Sequence, residues 1–342
     1  FMSSSRGITM NRSALAAQRW IHGAALENLE GSGTGMPVSR DAGPSRVRAR
    51  SAEKRGCRPP INSISCDTLA QRGRFAETEE AAQRGLEVVL VDVTQEQADK
   101  GKAKLVAGLA KLVERGKLSA EDRDAAVARI APSGSYEALG TCDFVIESAT
   151  ENPELKKKIF AELDRKLAPA AILATNTSSI SITMLAAHTK RPEQVIGMHF
   201  FNPATIMKLV EVVNTPMTNT ATTETILSLT RLLNKVPVVC TDSPGFIVNR
   251  VARPYYIESL RLLENGDTHP EQIDQLLEAT GFKMGPFKLM DLIGQDINYA
   301  VSCSVWEQLG RPPRLNPSYL QEEKVKQGKL GKKSGEGFYK YE

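Results

Sequence analysis

Between residues 86 and 240 short β-branched runs alternate with stretches of helical character, and this alternation constrains the fold more than any other feature. Leu86-Glu-Val-Val-Leu-Val-Asp92 is followed by residues 95–115, rich in Ala, Leu and Lys. Asp143-Phe-Val-Ile-Glu147 is followed by residues 153–167, with Pro153 near the helix start. Ala171-Ile-Leu-Ala-Thr-Asn176 is a third strand, and residues 195–200, 209–213 and 236–240 are further apolar runs. Strands alternating with helices imply βαβ units and a mostly parallel sheet. After Thr241-Asp-Ser-Pro-Gly245 the strand signal stops, and residues 246–265, 270–280, 292–309 and 317–327 read as helices. The expectation is a doubly wound, Rossmann-like α/β domain over residues 79–240 and an all-helical domain over 241–342.

Composition narrows the classes. The chain has 342 residues, 41% hydrophobic and 25% charged, which is globular and long enough for two domains. No run approaches the ~18 apolar residues that a membrane span needs. The five cysteines are scattered without metal-ligand spacing, so no metal is expected. Free thiols point to a reducing compartment, cytoplasm or mitochondrial matrix. Residues 1–60 carry ten basic and four acidic groups, and the remainder 34 basic and 36 acidic. The positive excess is thus confined to the first segment, and nucleic acid is not an expected partner.

Residues 1–78, which include this basic stretch, lack either apolar period. It reads as a disordered tail, as an Arg-bearing transit peptide, or as non-native sequence from a wrong reading frame.

In an open parallel sheet, ligands bind beyond the carboxyl ends of the strands. Asp92 closes a strand, where an acid takes ribose hydroxyls or serves as a turn residue. Asn176-Thr-Ser-Ser179 closes another, where side-chain oxygens hold a substrate or cap a helix. His199 lies in Val195-Ile-Gly-Met-His-Phe-Phe-Asn-Pro203, and Glu211 interrupts Leu209-Val-Glu-Val-Val213. A carboxylate in so apolar a strand is costly to bury unless it is paired. His199 on the adjacent strand is the natural partner, and an imidazole held through one nitrogen keeps the other as a general base.

Taken together, these segments carry a resemblance. Ala174-Thr-Asn-Thr-Ser-Ser179, Gly197-Met-His-Phe-Phe-Asn-Pro203 and Met207-Lys-Leu-Val-Glu-Val-Val213 come first. Asp242-Ser-Pro-Gly-Phe-Ile-Val-Asn-Arg250, Met284-Gly-Pro-Phe287 and Gly331-Lys-Lys-Ser-Gly-Glu-Gly-Phe-Tyr339 follow. In this order they resemble the L-3-hydroxyacyl-CoA dehydrogenase family from about residue 81 onward, and the region around Leu292-Ile-Gly-Gln-Asp-Ile-Asn298 resembles its 3-hydroxybutyryl-CoA branch. The resemblance implies NAD as cofactor and oxidation of (3S)-3-hydroxyacyl-CoA, in fatty-acid β-oxidation or butanoate metabolism. It also implies a homodimer formed through the helical domain.

By resemblance, His199 matches the catalytic base and Glu211 its carboxylate partner, while Ser178 and Asn249 match the polar groups beside the reacting oxygen. Asp92, Glu151, Lys156, Ser178, Asn202 and Lys333 match cofactor-contacting positions. Arg115 and Lys117, with Ser178, are the candidate contacts to the CoA substrate. Two rivals remain: a non-catalytic or damaged family member, and a sister hydroxy-acid dehydrogenase that does not use CoA.

The chain departs from the family at one place. A Gly-x-Gly-x-x-Gly turn should stand at positions 69, 71 and 74, where this chain has Leu69, Gln71 and Arg74. Gly31-Ser-Gly-Thr-Gly-Met36 is too far from Asp92 and follows no strand. The family's first strand and phosphate turn are therefore expected to be missing or scrambled, which favours the frame-error reading. Translating the encoding nucleotides in the other two frames should yield the glycine fingerprint upstream of Ala81. Its absence from every frame would remove that reading.

Overall fold

The computed structural model describes residues 63–67 as backbone, and residues 76–202 and 204–342 in full apart from the Ala76 side chain. The readings that concern residues 1–62 and the turn positions 69, 71 and 74 lie outside the described residues. Residues 58–251 with 304–311 form one compact unit, and residues 252–303 with 312–342 another.

The first unit is built on eight strands. They are β1 Ser63–Asp67, β2 Glu87–Val91, β3 Ile130–Ser133, β4 Phe144–Glu147, β5 Ile172–Thr175, β6 Val195–Phe200, β7 Leu209–Asn214 and β8 Val236–Thr241. They form one sheet in the order β3-β2-β1-β4-β5-β6-β7-β8. Strands β1 to β6 are mutually parallel. β7 runs antiparallel to β6, and β8 parallel to β7. The order steps outward from β1 to β3 and returns to β4 on the other side of β1, which marks the switch point where such sheets bind ligands.

One expectation is corrected here. The central strand is not missing: the backbone of Ser63–Asp67 pairs with Glu87–Val91 on one side and with Phe144–Glu147 on the other. A ladder is made by backbone N–H and C=O groups, which any proline-free segment supplies. The neighbouring strands therefore have no open edge there.

Around the sheet lie helices α1 Ala76–Gln83, α2 Gln95–Glu114, α3 Ala120–Ala128, α4 Pro153–Lys166, α5 Ile182–Ala186 and α6 Thr220–Leu232. Their starts follow capping chemistry. Thr94 accepts from the Gln97 amide, Asn219 from Thr222, and Asn152 from Leu155 with Pro153 in the first turn.

Alternation along the strands splits the core between the two faces of the sheet. Leu90, Phe144, Ile146, Met198 and Val210 pack with Leu105 and Leu109 of α2 on one face. Val145, Leu173, Val195 and Val213 pack with Phe160 and Leu163 of α4 on the other. Gly197 belongs to this second face and has no room for a side chain. A Cβ there would stand 2.3 Å from Ile182 Cδ1 and 2.7 Å from Val213 Cβ.

The second unit holds most of α7 Val248–Glu264, with α8 Pro270–Ala279, α9 Pro286–Ile293, the larger part of α10 Gln295–Gln308, and α11 Tyr319–Lys326. The stretch 292–309 read as one helix is two, broken at Gly294, whose φ of 105° is left-handed. Two buried carboxylates organise this unit. Asp274 accepts from the Phe287 and Lys288 amides at 2.9 and 3.0 Å and from the Tyr339 hydroxyl at 2.7 Å. Asp291 accepts from the Phe338 and Tyr339 amides at 2.9 Å and from the Tyr341 hydroxyl at 3.0 Å.

Replacing Gly197 by Ala should destabilise the first unit by about 1–3 kcal/mol through overpacking. A urea midpoint unchanged from wild type would show that α5 can retreat from β6.

Candidate active site

The antiparallel register between β6 and β7 sets His199 directly opposite Glu211. Their neighbours Met198, Phe200, Val210 and Val212 all enter the first core cluster, so alternation turns His199 and Glu211 to the other face. There the Nδ1–H of His199 donates to Oε2 of Glu211 at 2.7 Å. The remaining oxygen, Oε1, accepts from the Ile247 and Val248 amides, each at 2.9 Å. These amides open α7 and would otherwise have no partner within the helix. The helix start also favours a negative charge. With 1% exposure Glu211 needs such partners, and it has three.

The segment that supplies the amides is itself fixed. Asp242 Oδ2 accepts from Ser181 Oγ at 2.9 Å and from the Thr183 amide at 2.7 Å. Gly245, at φ 75°, turns the chain where a Cβ would stand 2.9 Å from Val305. Phe246 follows at φ 48° and presents its ring edge-on to His199, with centroids 5.6 Å apart. Phe201 lies against the imidazole with its ring tilted by 60° and the centroids 4.7 Å apart. The imidazole is thus held by one carboxylate and two aromatic rings, which leaves Nε2 as the nitrogen able to take a proton. Asn249 lies in the first turn of α7, one residue beyond the Val248 amide.

The end of β5 is tied to the same region. Asn176 Oδ1 accepts from the Phe200 amide at 2.8 Å, and its Nδ2 donates to Glu77 at 2.9 Å. Ser178 donates its amide to Glu151 Oε1 at 3.1 Å, and Thr177 donates its hydroxyl to Glu151 Oε2 at 2.6 Å. Glu151, Thr177, Ser178, Asn176 and His199 therefore occupy adjacent strand ends, β4 to β6. Asn202 is exposed on the connection that follows β6.

The other residues singled out in the sequence fall elsewhere. Asp92, 4% exposed, follows β2, where its Oδ1 accepts from the Val93 amide at 2.7 Å. Lys156 is not on an open surface: it is 1% exposed and forms an ion pair with Glu147. Arg115 and Lys117 are exposed just beyond the 20-residue helix α2, which starts near Asp92. At 1.5 Å per residue this puts them about 30 Å along the helix from that acid. Lys333 lies in the helical unit, paired with Asp296.

The composite motifs match known proteins along the same stretch. Residues 76–243 match the family model for the 3-hydroxyacyl-CoA dehydrogenase NAD-binding domain, and residues 245–341 match the C-terminal domain of the same enzymes. The chain belongs to the 3-hydroxyacyl-CoA dehydrogenase family. It is 48% identical to the 3-hydroxyadipyl-CoA dehydrogenase of Escherichia coli K12 over 76% of its own length and 55% of that protein's. It is 41% identical to the mitochondrial hydroxyacyl-coenzyme A dehydrogenase of Sus scrofa, covering 76% of this chain and 85% of that one. The crystal structure of (S)-3-hydroxybutyryl-CoA dehydrogenase from Ralstonia eutropha superimposes with a TM-score of 0.79 at 38% identity, covering 82% of this chain and 99% of that one. The chain thus spans little more than half the length of the Escherichia coli relative.

The family's cofactor is NAD, and the described residues fit it. The strand order reverses between β1 and β4, and the buried acid Asp92 directly follows the neighbouring strand β2.

Several contributors were not visible in the sequence. The amides of Ile247 and Val248 leave no residue-type signal. The anchoring role of Asp242 depends on a contact across the fold, although its Asp-Ser-Pro-Gly setting marked a turn. Close to the dyad, the Cys240 thiol is pushed up to about 12 from 9.0 by burial and by the carboxylates of Glu211 and Asp242. Maleimide labelling of Cys240 at pH 8 should run on the order of 10³ slower than for a free thiol, because little thiolate forms. Labelling at the ordinary rate, read by peptide mass spectrometry, would show that the thiol is open to solvent and not buried.

Proposed function

We propose that this chain oxidises (3S)-3-hydroxyacyl-CoA to 3-oxoacyl-CoA, reversibly, with His199 as general base. The contact that carries this reading is the His199–Glu211 hydrogen bond on the β6–β7 pair of an NAD-binding sheet. His199 Nε2 accepts the proton of the substrate's C3 hydroxyl. Glu211 fixes the ring through Nδ1 and stabilises the imidazolium that results. Ser178 and Asn249 orient the substrate oxygen, so part of the rate comes from position. When bound, NAD supplies the acceptor for the hydride leaving C3.

Asp92 holds the cofactor's ribose hydroxyls. Glu151, Ser178 and Asn202 meet the cofactor at the ends of β4 to β6, and Lys333 is a further cofactor-contacting position. Lys156 supports that surface from below through Glu147. Arg115 and Lys117, exposed just beyond α2, take the phosphates of the CoA nucleotide, with Ser178 at the reacting end of the substrate. A second copy of the chain covers apolar residues left exposed on the helical unit, among them Leu276, Leu292 and Ile297. The reaction belongs to fatty-acid β-oxidation or butanoate metabolism, in cytoplasm or mitochondrial matrix. No helix among the described residues is long and apolar enough to cross a membrane.

The test is His199→Gln. It should lower kcat with 3-hydroxybutyryl-CoA by about 10²–10⁴, the range for positioned acid–base catalysis, and leave NADH affinity by calorimetry nearly unchanged. Equal loss of cofactor binding would move His199 out of the chemical step. Free CoA should compete with the substrate, and a failure to compete would favour a hydroxy-acid substrate without CoA.

A further inference from the structure

A buried ion pair lies beneath the strand ends and takes no part in the chemistry above. Glu147 ends β4, Thr175 ends β5, and Lys156 comes from α4. All three are within 1% of complete burial. Glu147 Oε1 accepts from the Ala149 amide at 2.8 Å, and Oε2 accepts from Thr175 Oγ1 at 2.8 Å and from Lys156 Nζ. Thr175 Oγ1 in turn accepts from the Thr177 amide at 3.3 Å.

Two loops are therefore tied to one carboxylate at their roots. The loop through Ala149 carries Glu151, and the loop through Thr177 carries Ser178. The loops rejoin above, because Glu151 accepts from Thr177 Oγ1, from the Ser178 amide and from Ser178 Oγ. The result is a closed ring of hydrogen bonds with the Glu147–Lys156 pair at its base. Stability alone does not account for the pair, since apolar side chains of like volume are often as stable as a buried ion pair. What apolar replacements would lack is a hold on the Ala149 amide and on the Thr175 hydroxyl, which in turn receives the Thr177 amide.

We propose that Glu147, clamped by Lys156, is a positioning residue that fixes Ser178 and Glu151 at the strand ends. The kinetic side of this proposal rests on the role given to Ser178 above, and the structural side does not. Thr175→Val cuts the ring on the Ser178 side and leaves the ion pair in place. Glu147→Gln with Lys156→Met removes the base without stranding a charge.

Amide exchange reads the positioning directly. In both variants the Thr177 and Ser178 amides should exchange at least about 10-fold faster, while Met198 and Val212 keep their protection. Unchanged exchange at Thr177 and Ser178 in whichever variant folds would overturn the proposal. Kinetics then separate positioning from bulk stability. Thr175→Val should lower kcat about 10-fold in the wild-type background and less than about 2-fold when Ser178 is already Ala, because the effect passes through Ser178. Equal losses in both backgrounds would mark a merely structural role and defeat it. Faster exchange in a protein that never turns over 3-hydroxybutyryl-CoA would support the positioning and refute the function.

Discussion

A single carboxylate organises the reactive end of the sheet. Glu211 sits where water cannot reach it, so its charge must be met by protein groups. One oxygen takes the imidazole and the other takes two amides at the start of a helix. With only residues 201–208 between them, the strand that carries Glu211 must run against β6 for positions 199 and 211 to stand opposite each other. The reversal of direction after six parallel strands is thus tied to the dyad. The helix start that completes the carboxylate depends on the turn at Gly245 and on the anchor at Asp242.

The strand order places two sets of groups side by side. The switch point lies between β1 and β4, and the dyad lies on β6 and β7, with β5 between. At about 4.8 Å between neighbouring strands, the ends of β4 and β6, with β5 between them, stand roughly 10 Å apart. Asn176 spans this gap: its amide donates to the Glu147 carbonyl and its side chain accepts from the Phe200 amide. A residue that reads as a helix cap in isolation acts here as a cross-strand tie.

Much of this was legible in the sequence, for stated reasons. The buried strands β4 to β7 announce themselves because both faces are covered and apolar residues fill most positions, so the acid inside β7 stood out at once. The His199–Glu211 pairing followed from the cost of leaving that acid alone. What escaped was backbone chemistry. Ser63–Asp67 holds the centre of the sheet with a sequence carrying little β signal, because its ladder needs only amides and carbonyls. β3 contains Pro132, which argues against a strand, yet β3 lies at the edge of the sheet, where a missing donor is tolerated. Gly294 broke a helix whose side-chain pattern ran straight through it.

Asp291 has a consequence for how the helical unit is made. Three of its partners are supplied by residues 338–341, nearly fifty positions later in the chain. Without those residues the carboxylate lacks two amides and a tyrosine hydroxyl, and keeps the nearby Gln295 side chain as a donor. Closing that unit around Asp291 therefore requires a segment that follows the sheet and its histidine strand in the chain.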